Sequence, residues 1–183
     1  MCIRDRSDIL RYEAEALMAG MMMDTKNFTM RTGGRTFDAA AFLRRAGADT
    51  TEVKHLLQSD LKSAVARYSI VQKAKIYKAG IAIAAPDFAE TKVIAAQAAD
   101  ELLNISGIQA SFVVFPFQDD INISARSLGD INVQLIVEKL GGGGNKSTAG
   151  AQISGKTQRE VVQDLLIAID SYLEDNSMTD NQN

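Results

Sequence analysis

The chain reads as an α/β protein: a small mixed sheet with flanking helices, preceded by a helical segment and a connector. Two observations carry that expectation. From Ala79 onward, short apolar or alternating runs interleave with longer runs of helical spacing, the alternation that builds layered α/β domains. Within that region the run 109–128 holds two strand-like stretches joined by the acidic turn Asp119–Asp120, so one pair of strands is expected to be a hairpin and the sheet mixed.

Taken in order, the stretch 8–23 has apolar residues at Ile9, Tyr12, Leu17 and Met21, a loose helical spacing. "DTKNF" (24–28) breaks it, and "RTGGRT" reads as a loop. "TFDAAAFLRRAGAD" predicts a helix with Thr36 as N-cap and Gly47 as C-cap. A further helix starts at Thr50. A longer one carries Leu61, Val65, Tyr68, Ile70, Val71 and Ile76, and together these helices read as a connector. Then come a small buried strand at 79–85, an alanine-rich helix at 88–105, the hairpin strands, and a helix in "INVQLIVEKL". The glycines 141–144, a short strand "TAGAQIS", a closing helix from Thr157 to Asn176 and a polar tail complete the pattern.

Composition bounds the function. Twenty Lys and Arg against 23 Asp and Glu leave a formal charge of −3, which disfavours generic binding of polyanions. Cys2 is the only cysteine, so neither an internal disulfide nor a cysteine-rich zinc site can form, and a reducing, cytoplasmic setting fits. The longest apolar stretch near the start, 16–23, is far below the ~18–20 residues of a spanning helix. The opening "MCIRDRSD" lacks the core of a signal peptide and does not blend into the helical stretch after it; it reads as a truncated or spurious start.

Little here supports nucleophilic catalysis. His55 is the only histidine and reads as a helix-surface residue, while Asp119/Asp120 and Glu174/Asp175 read as solvated punctuation. The glycine run is more informative. Four consecutive glycines are either a flexible linker or a loop whose N–H groups cradle an anion, with Lys146, Ser147 and Thr148 adding a charge and two hydroxyls. In "NISARSLGDIN", strand alternation puts Ser124 and Arg126 on one face and Ile123 and Ala125 on the other. Arg126 beside serines suits a phosphate or carboxylate fork, and equally a salt-bridged edge position.

At these residues a resemblance appears. "ISARSLGDINVQLIVEKLGGGGNKSTAGAQ" resembles the DHH-associated domain, the C-terminal substrate-binding half of DHH-family phosphoesterases. "DTKNF", "FLRRAGAD" and "ARSLGDINVQ" together resemble the branch that comprises membrane-anchored bacterial cyclic-di-AMP phosphodiesterases. The resemblance covers about Tyr12 to Leu173. It implies that residues 1–35 are the end of a catalytic domain (1–8 the spurious start), 36–77 a helical connector, 78–175 the substrate-binding domain and 176–183 a disordered tail.

It also implies roles. Asp24 would be a metal ligand, with Thr25 and Asn27 as its supporting neighbours. Ser124, Arg126 and Ser127 would line the substrate cleft, and Gly141, Gly142, Gly143 and Gly144 would hold the ligand through backbone amides. The cofactor would be Mn²⁺ and the ligand a cyclic dinucleotide or its linear product. Two departures from the family pattern stand out. Asn145 occupies the place of the family's histidine, so weaker or altered nucleotide binding is expected. The Asp-His-His motif and other metal-binding aspartates are absent from this chain, so it is expected to be inactive without an upstream catalytic domain. Two other readings remain open: a nucleic-acid module like those of related exonucleases and tRNA-editing proteins, and a homodimerisation element using the alanine-rich helix 88–103.

Overall fold

A computed structural model of the chain describes residues 9–87, 89 and 91–180, with only the backbone of 177–180. The opening "MCIRDRSD" and the last three residues of the expected tail lie outside these. Two compact units emerge, residues 1–60 and 61–183. The boundary falls inside the stretch expected to be a connector.

The first unit is helical. Helix α1 (Arg11–Asp24) begins without a capping side chain, but Glu13 reaches back and accepts a hydrogen bond from the Leu10 N–H at 2.9 Å. Helix α2 (Gly34–Arg45) is capped by Gly33 rather than by the expected Thr36, which lies one turn inside. The Thr36 hydroxyl accepts the Gly33 N–H, so the residue does a capping-box job from N3 instead of capping directly. Helix α3 (Thr50–Leu56) has Asp49 as N-cap, its carboxylate accepting the Thr51 N–H at 2.7 Å. The three helices close on Ala14, Met18, Ala19, Leu43, Ala48 and Val53. Leu43, Ala48 and Val53 come from the stretch read as a connector, which here contributes core.

The second unit is the mixed α/β domain expected. Helix α4 (Leu61–Val71) stops short of Ile76, which was expected in it; Ile76 instead ends strand β1 (Ala74–Ile76). Strand β2 (Ile81–Ala84) and helix α5 (Lys92–Leu102, with the Thr91 hydroxyl accepting the Ile94 N–H) come next. The hairpin is β3 (Ala110–Phe117) and β4 (Asp120–Ser127). After α6 (Val133–Glu138) come β5 (Gly143–Asn145), β6 (Thr148–Ser154) and α7 (Gln158–Asp180). The polar tail expected to fray from residue 176 continues the α7 helix to Asp180.

The sheet order is β1-β2-β3-β4-β6-β5, with β2 and β3 parallel and every other pair antiparallel. Period-2 alternation sends each strand's residues to two different cores. Phe112, Val114, Ile123 and Ala125 pack with Val133, Ile136, Leu165 and Ile169 of α6 and α7. Val113 and Phe115 pack with Ile70 of α4 and with Ala95, Ala98, Ala99 and Leu102 of α5. The alanines of α5 are thus turned into the domain, where their small side chains let the helix lie close on the sheet; the Ser111 hydroxyl donates to the Ala99 carbonyl at 2.6 Å.

Candidate functional site

Register identifies a half-face of the sheet with a different chemistry. Along β4, Asn122, Ser124 and Arg126 stand opposite Phe115, Val113 and Ser111 of β3, so they share the α5 side of the sheet. On the other flank they stand opposite Gln152, Gly150 and Thr148 of β6, and β5 places Gly143 and Asn145 opposite Gly150 and Thr148. Among the described residues, the apolar cluster on this side includes none from β4, β5 or β6. One half of this side is therefore apolar under α5, and the other is built of amides, hydroxyls, glycines and one guanidinium.

Arg126 is held from several directions. Its Nε faces the Asp100 carboxylate at 3.3 Å, from the last turn of α5. Its Nη1 donates to the Ala125 carbonyl at 2.9 Å and to the Ser124 hydroxyl at 3.3 Å. Of the two readings of Arg126 the salt bridge is present, but in an interior strand rather than at an edge. Ser127 lies on the opposite face and is 1% exposed. Its hydroxyl accepts the Gly129 N–H and its own N–H donates to the Ser147 carbonyl, so it organises the strand end and is not brought together with Ser124 and Arg126.

The glycines are neither a linker nor a continuous loop. Gly141 ends the α6 turn, while Gly143 and Gly144 belong to edge strand β5, where a loop was expected. A Cβ on Gly142 would lie 2.3 Å from the Gly150 carbonyl and 2.5 Å from Val137 Cγ1, so α6 can seat on the sheet only over a bare backbone. Gly144 has φ +153°, and a Cβ there would strike the Thr148 carbonyl at 2.3 Å. Gly143 is the exception: nothing lies within 4 Å of its hypothetical Cβ. It pairs directly with Gly150 on the polar half-face, leaving a patch of sheet without side chains.

Asn145 closes the β5–β6 turn. Its Oδ1 accepts the N–H groups of Ser147 (3.0 Å) and Thr148 (2.9 Å) and the Ser147 hydroxyl (3.2 Å). Two backbone donors on one oxygen fix the amide orientation, and the oxygen is spent on holding the turn. The turn is also pinned to α6, whose first N–H, on Val133, donates to the Lys146 carbonyl at 3.1 Å.

At the far end of the half-face, Gln152 accepts from the Lys92 ammonium at 3.0 Å and donates to Asp120 at 2.6 Å. Lys92 also sits 5.5 Å from the Phe117 ring centroid. Hydrogen bonds from Ser154 and then Gln152 hold the Asp120 carboxyl below the usual carboxylate range. Sequence reading missed Asp100, Asn122, Gln152 and Lys92. Asn122, two residues before Ser124, shares its parity and was legible; Asp100, Lys92 and Gln152 depend on register and helix placement.

In the first unit, Asp24 ends α1, exposed, with the Arg31 guanidinium 4.0 Å away. Thr25 is 4% exposed; its hydroxyl donates to the Met21 carbonyl and accepts the Phe28 N–H. Lys26, Asn27 and Phe28 all have positive φ (+48°, +56° and +64°), three non-glycine residues in a left-handed turn. Such strain persists only where neighbouring bonds over-determine it, and it gathers at functional sites. No glycine marks it in the sequence. Among the described residues no group of three His, Cys, Asp or Glu side chains converges, at Asp24 or elsewhere.

A six-stranded mixed sheet with this polar half-face defines the class: residues 72–175 match the DHHA1 domain, and the chain belongs to that family. Over most of its length it is also similar to full proteins. It is 50% identical over 171 residues to the cyclic-di-AMP phosphodiesterase PdeA of Listeria monocytogenes, covering 92% of this chain and 26% of that protein. It is 51% identical over 165 residues to the cyclic-di-AMP phosphodiesterase GdpP of Geobacillus thermodenitrificans, covering 88% and 25%. The chain thus spans about a quarter of the length of these curated relatives. An exopolyphosphatase-related protein from Bacteroides fragilis shares the fold, with a TM-score of 0.80 at 23% identity over 91% of this chain and 52% of that one. Among the described residues, no helix is long and apolar enough to cross a membrane.

Proposed function

We propose that this chain is the substrate-gripping part of a cyclic-di-AMP phosphodiesterase, and that the polar half-face around Arg126 holds the dinucleotide. The observation that carries the reading is the Gly143–Gly150 pair beside a fixed guanidinium. In this reading the glycine pair gives a sugar or base a flat approach to the sheet, and Arg126 Nη2 and the Asn145 NH₂ would donate to its phosphate. Two relatives about 50% identical carry that activity in their names, which supports the choice of ligand.

In this reading the chain contributes orientation rather than a nucleophile. Asp24, placed by its strained turn, supplies one ligand to a Mn²⁺ centre whose remaining ligands belong to a part of the protein outside this chain. The parent protein would sit at the inner face of the cell membrane. The described residues do not complete the metal site, so this chain alone is expected to turn over no substrate.

Calorimetric titration with cyclic-di-AMP and its linear product tests the reading. Arg126→Ala is expected to weaken binding at least tenfold, since a charged hydrogen-bond partner contributes roughly 1.5–3 kcal/mol. A folded chain that binds neither nucleotide, and gains nothing from Asn145→His, would sink it. Displacement of the nucleotide by excess single-stranded DNA or RNA would favour a polynucleotide module instead.

A further inference from the structure

Resting on that reading, Asp100 takes a role of its own. A guanidinium grips a phosphate bidentately through two adjacent nitrogens, either Nε with Nη2 or Nη1 with Nη2. In this chain the Nε side is turned to Asp100 at 3.3 Å, and Nη1 donates to both Ser124 and Ala125. Only Nη2 carries no partner among the described residues. Arg126 therefore offers a ligand a single nitrogen, and its charge comes already matched by a carboxylate. Both side chains are largely enclosed, 16% exposed for Arg126 and 26% for Asp100, so solvent screens the pair incompletely.

The same matching recurs at the other end of the half-face, where Gln152 bridges Lys92 and Asp120. A site built for a multiply charged phosphate gathers cations without counter-charges. This one sets a carboxylate directly on Arg126 and, across the Gln152 amide, a second one near Lys92.

We propose that Asp100 is a specificity-determining residue: by occupying the Nε side of Arg126 it lets the site hold a singly charged internal phosphodiester and turns away a terminal phosphate dianion. A cyclic dinucleotide has only internal diesters. Hydrolysis of one diester leaves a linear dinucleotide with one terminal phosphate, a dianion above its second pKa of about 6. The residue thus favours the cyclic molecule over its own hydrolysis product at the site.

The test is calorimetric titration at pH ~8 of the whole chain, Asp100→Asn and Asp100→Glu with cyclic-di-AMP and the linear 5′-phosphorylated dinucleotide. One extra unit charge several ångströms from a largely enclosed carboxylate corresponds to about a tenfold effect. The unmodified chain is expected to prefer the cyclic ligand. Asp100→Asn is expected to gain about tenfold more for the linear ligand than for the cyclic one, and Asp100→Glu to restore the preference. Lowering the pH to ~5, where the terminal phosphate is mostly singly charged, is expected to narrow the preference of the unmodified chain, which a purely structural role would not do.

Equal weakening of both ligands by Asp100→Asn, or an unchanged ratio, overturns the proposal while leaving Arg126 as the phosphate contact. Binding of neither ligand by the folded unmodified chain, with nothing gained from Asn145→His, overturns both. If Asp100→Asn fails to fold, the pH arm and Asp100→Glu still decide: a preference that does not narrow at low pH overturns it.

Discussion

The two units of the chain are stabilised on different scales. The first closes three helices on six buried apolar residues, three of them alanine, and leaves Leu10, Tyr12, Leu17 and Met23 in and beside α1 largely exposed. The second packs a six-stranded sheet against two apolar clusters, one on each side, that include Phe112, Phe115, Leu165 and Ile169. Apolar area removed from water is the dominant favourable term, so cooperative stability belongs mainly to the second unit. The lesson concerns division of labour. The face proposed to grip ligand is set on the well-packed unit, while the Asp24 turn, with its strained backbone, is on the thin one.

The largest effect that would break this contrast comes from the sheet core. Phe112→Ala removes a fully buried ring and is expected to cost about 3–5 kcal/mol in denaturant unfolding. Hydrogen exchange should show the loss across the β3–β4–β6 amides, with the α1 amides already exchanging faster in the unmodified chain. Equal protection in the two units would contradict the contrast.

A sharper cut uses neighbouring glycines. Gly142→Ala drives a methyl into the Gly150 carbonyl and Val137, and an overpacking cost of about 1–3 kcal/mol is expected. Gly143→Ala meets open space, and its melting temperature should stay close to that of the parent. Its effect belongs to ligand titration instead, because the new methyl stands on the polar half-face. Similar melting shifts for the two variants would refute the assignment of distinct roles.

The smallest effect is that of pH. Asp49 in the first unit is held below the usual carboxylate range, chiefly by the Thr51 N–H; in the second unit Asp170 is lowered chiefly by Lys78 and Asp120 chiefly by Ser154. For each, the unfolded chain takes up the proton at a higher pH than the folded one. Their stabilisation is thus fully present above about pH 4 and fades as pH falls through the lowered folded values. Acid titration followed by circular dichroism should show both units weakening below pH ~4; a chain that gained stability there would reverse the sign.

Much of the second unit was legible because its strands alternate cleanly and its hairpin is marked by two adjacent acids. The parity of Ser124 and Arg126 came from that alternation alone. The parts that were not legible depended on contacts distant in sequence. Ile76 has the spacing of a helical residue, yet pairing with Ala82 across β1 and β2 draws it into the sheet. Ser127 sits next to Arg126 in sequence, but adjacency in a strand means opposite faces. Asp100 lies 26 positions before its arginine on an otherwise bland alanine-rich helix, and only packing of α5 on the sheet joins the two. The Lys26–Phe28 turn was legible only as a helix break, its left-handed backbone unmarked because none of its residues is the glycine that such a backbone ordinarily takes.

The open space above Gly143 has a practical side. Its chain neighbours Gly142 and Gly144 are locked by contacts that any added atom would violate, while this one position tolerates an appendage. Cys2 is the sole native thiol, so a Cys2→Ser, Gly143→Cys chain would carry one fluorophore attachment point on the proposed binding face. Emission from a dye placed there would report occupancy in real time, turning a bare stretch of backbone into an optical readout.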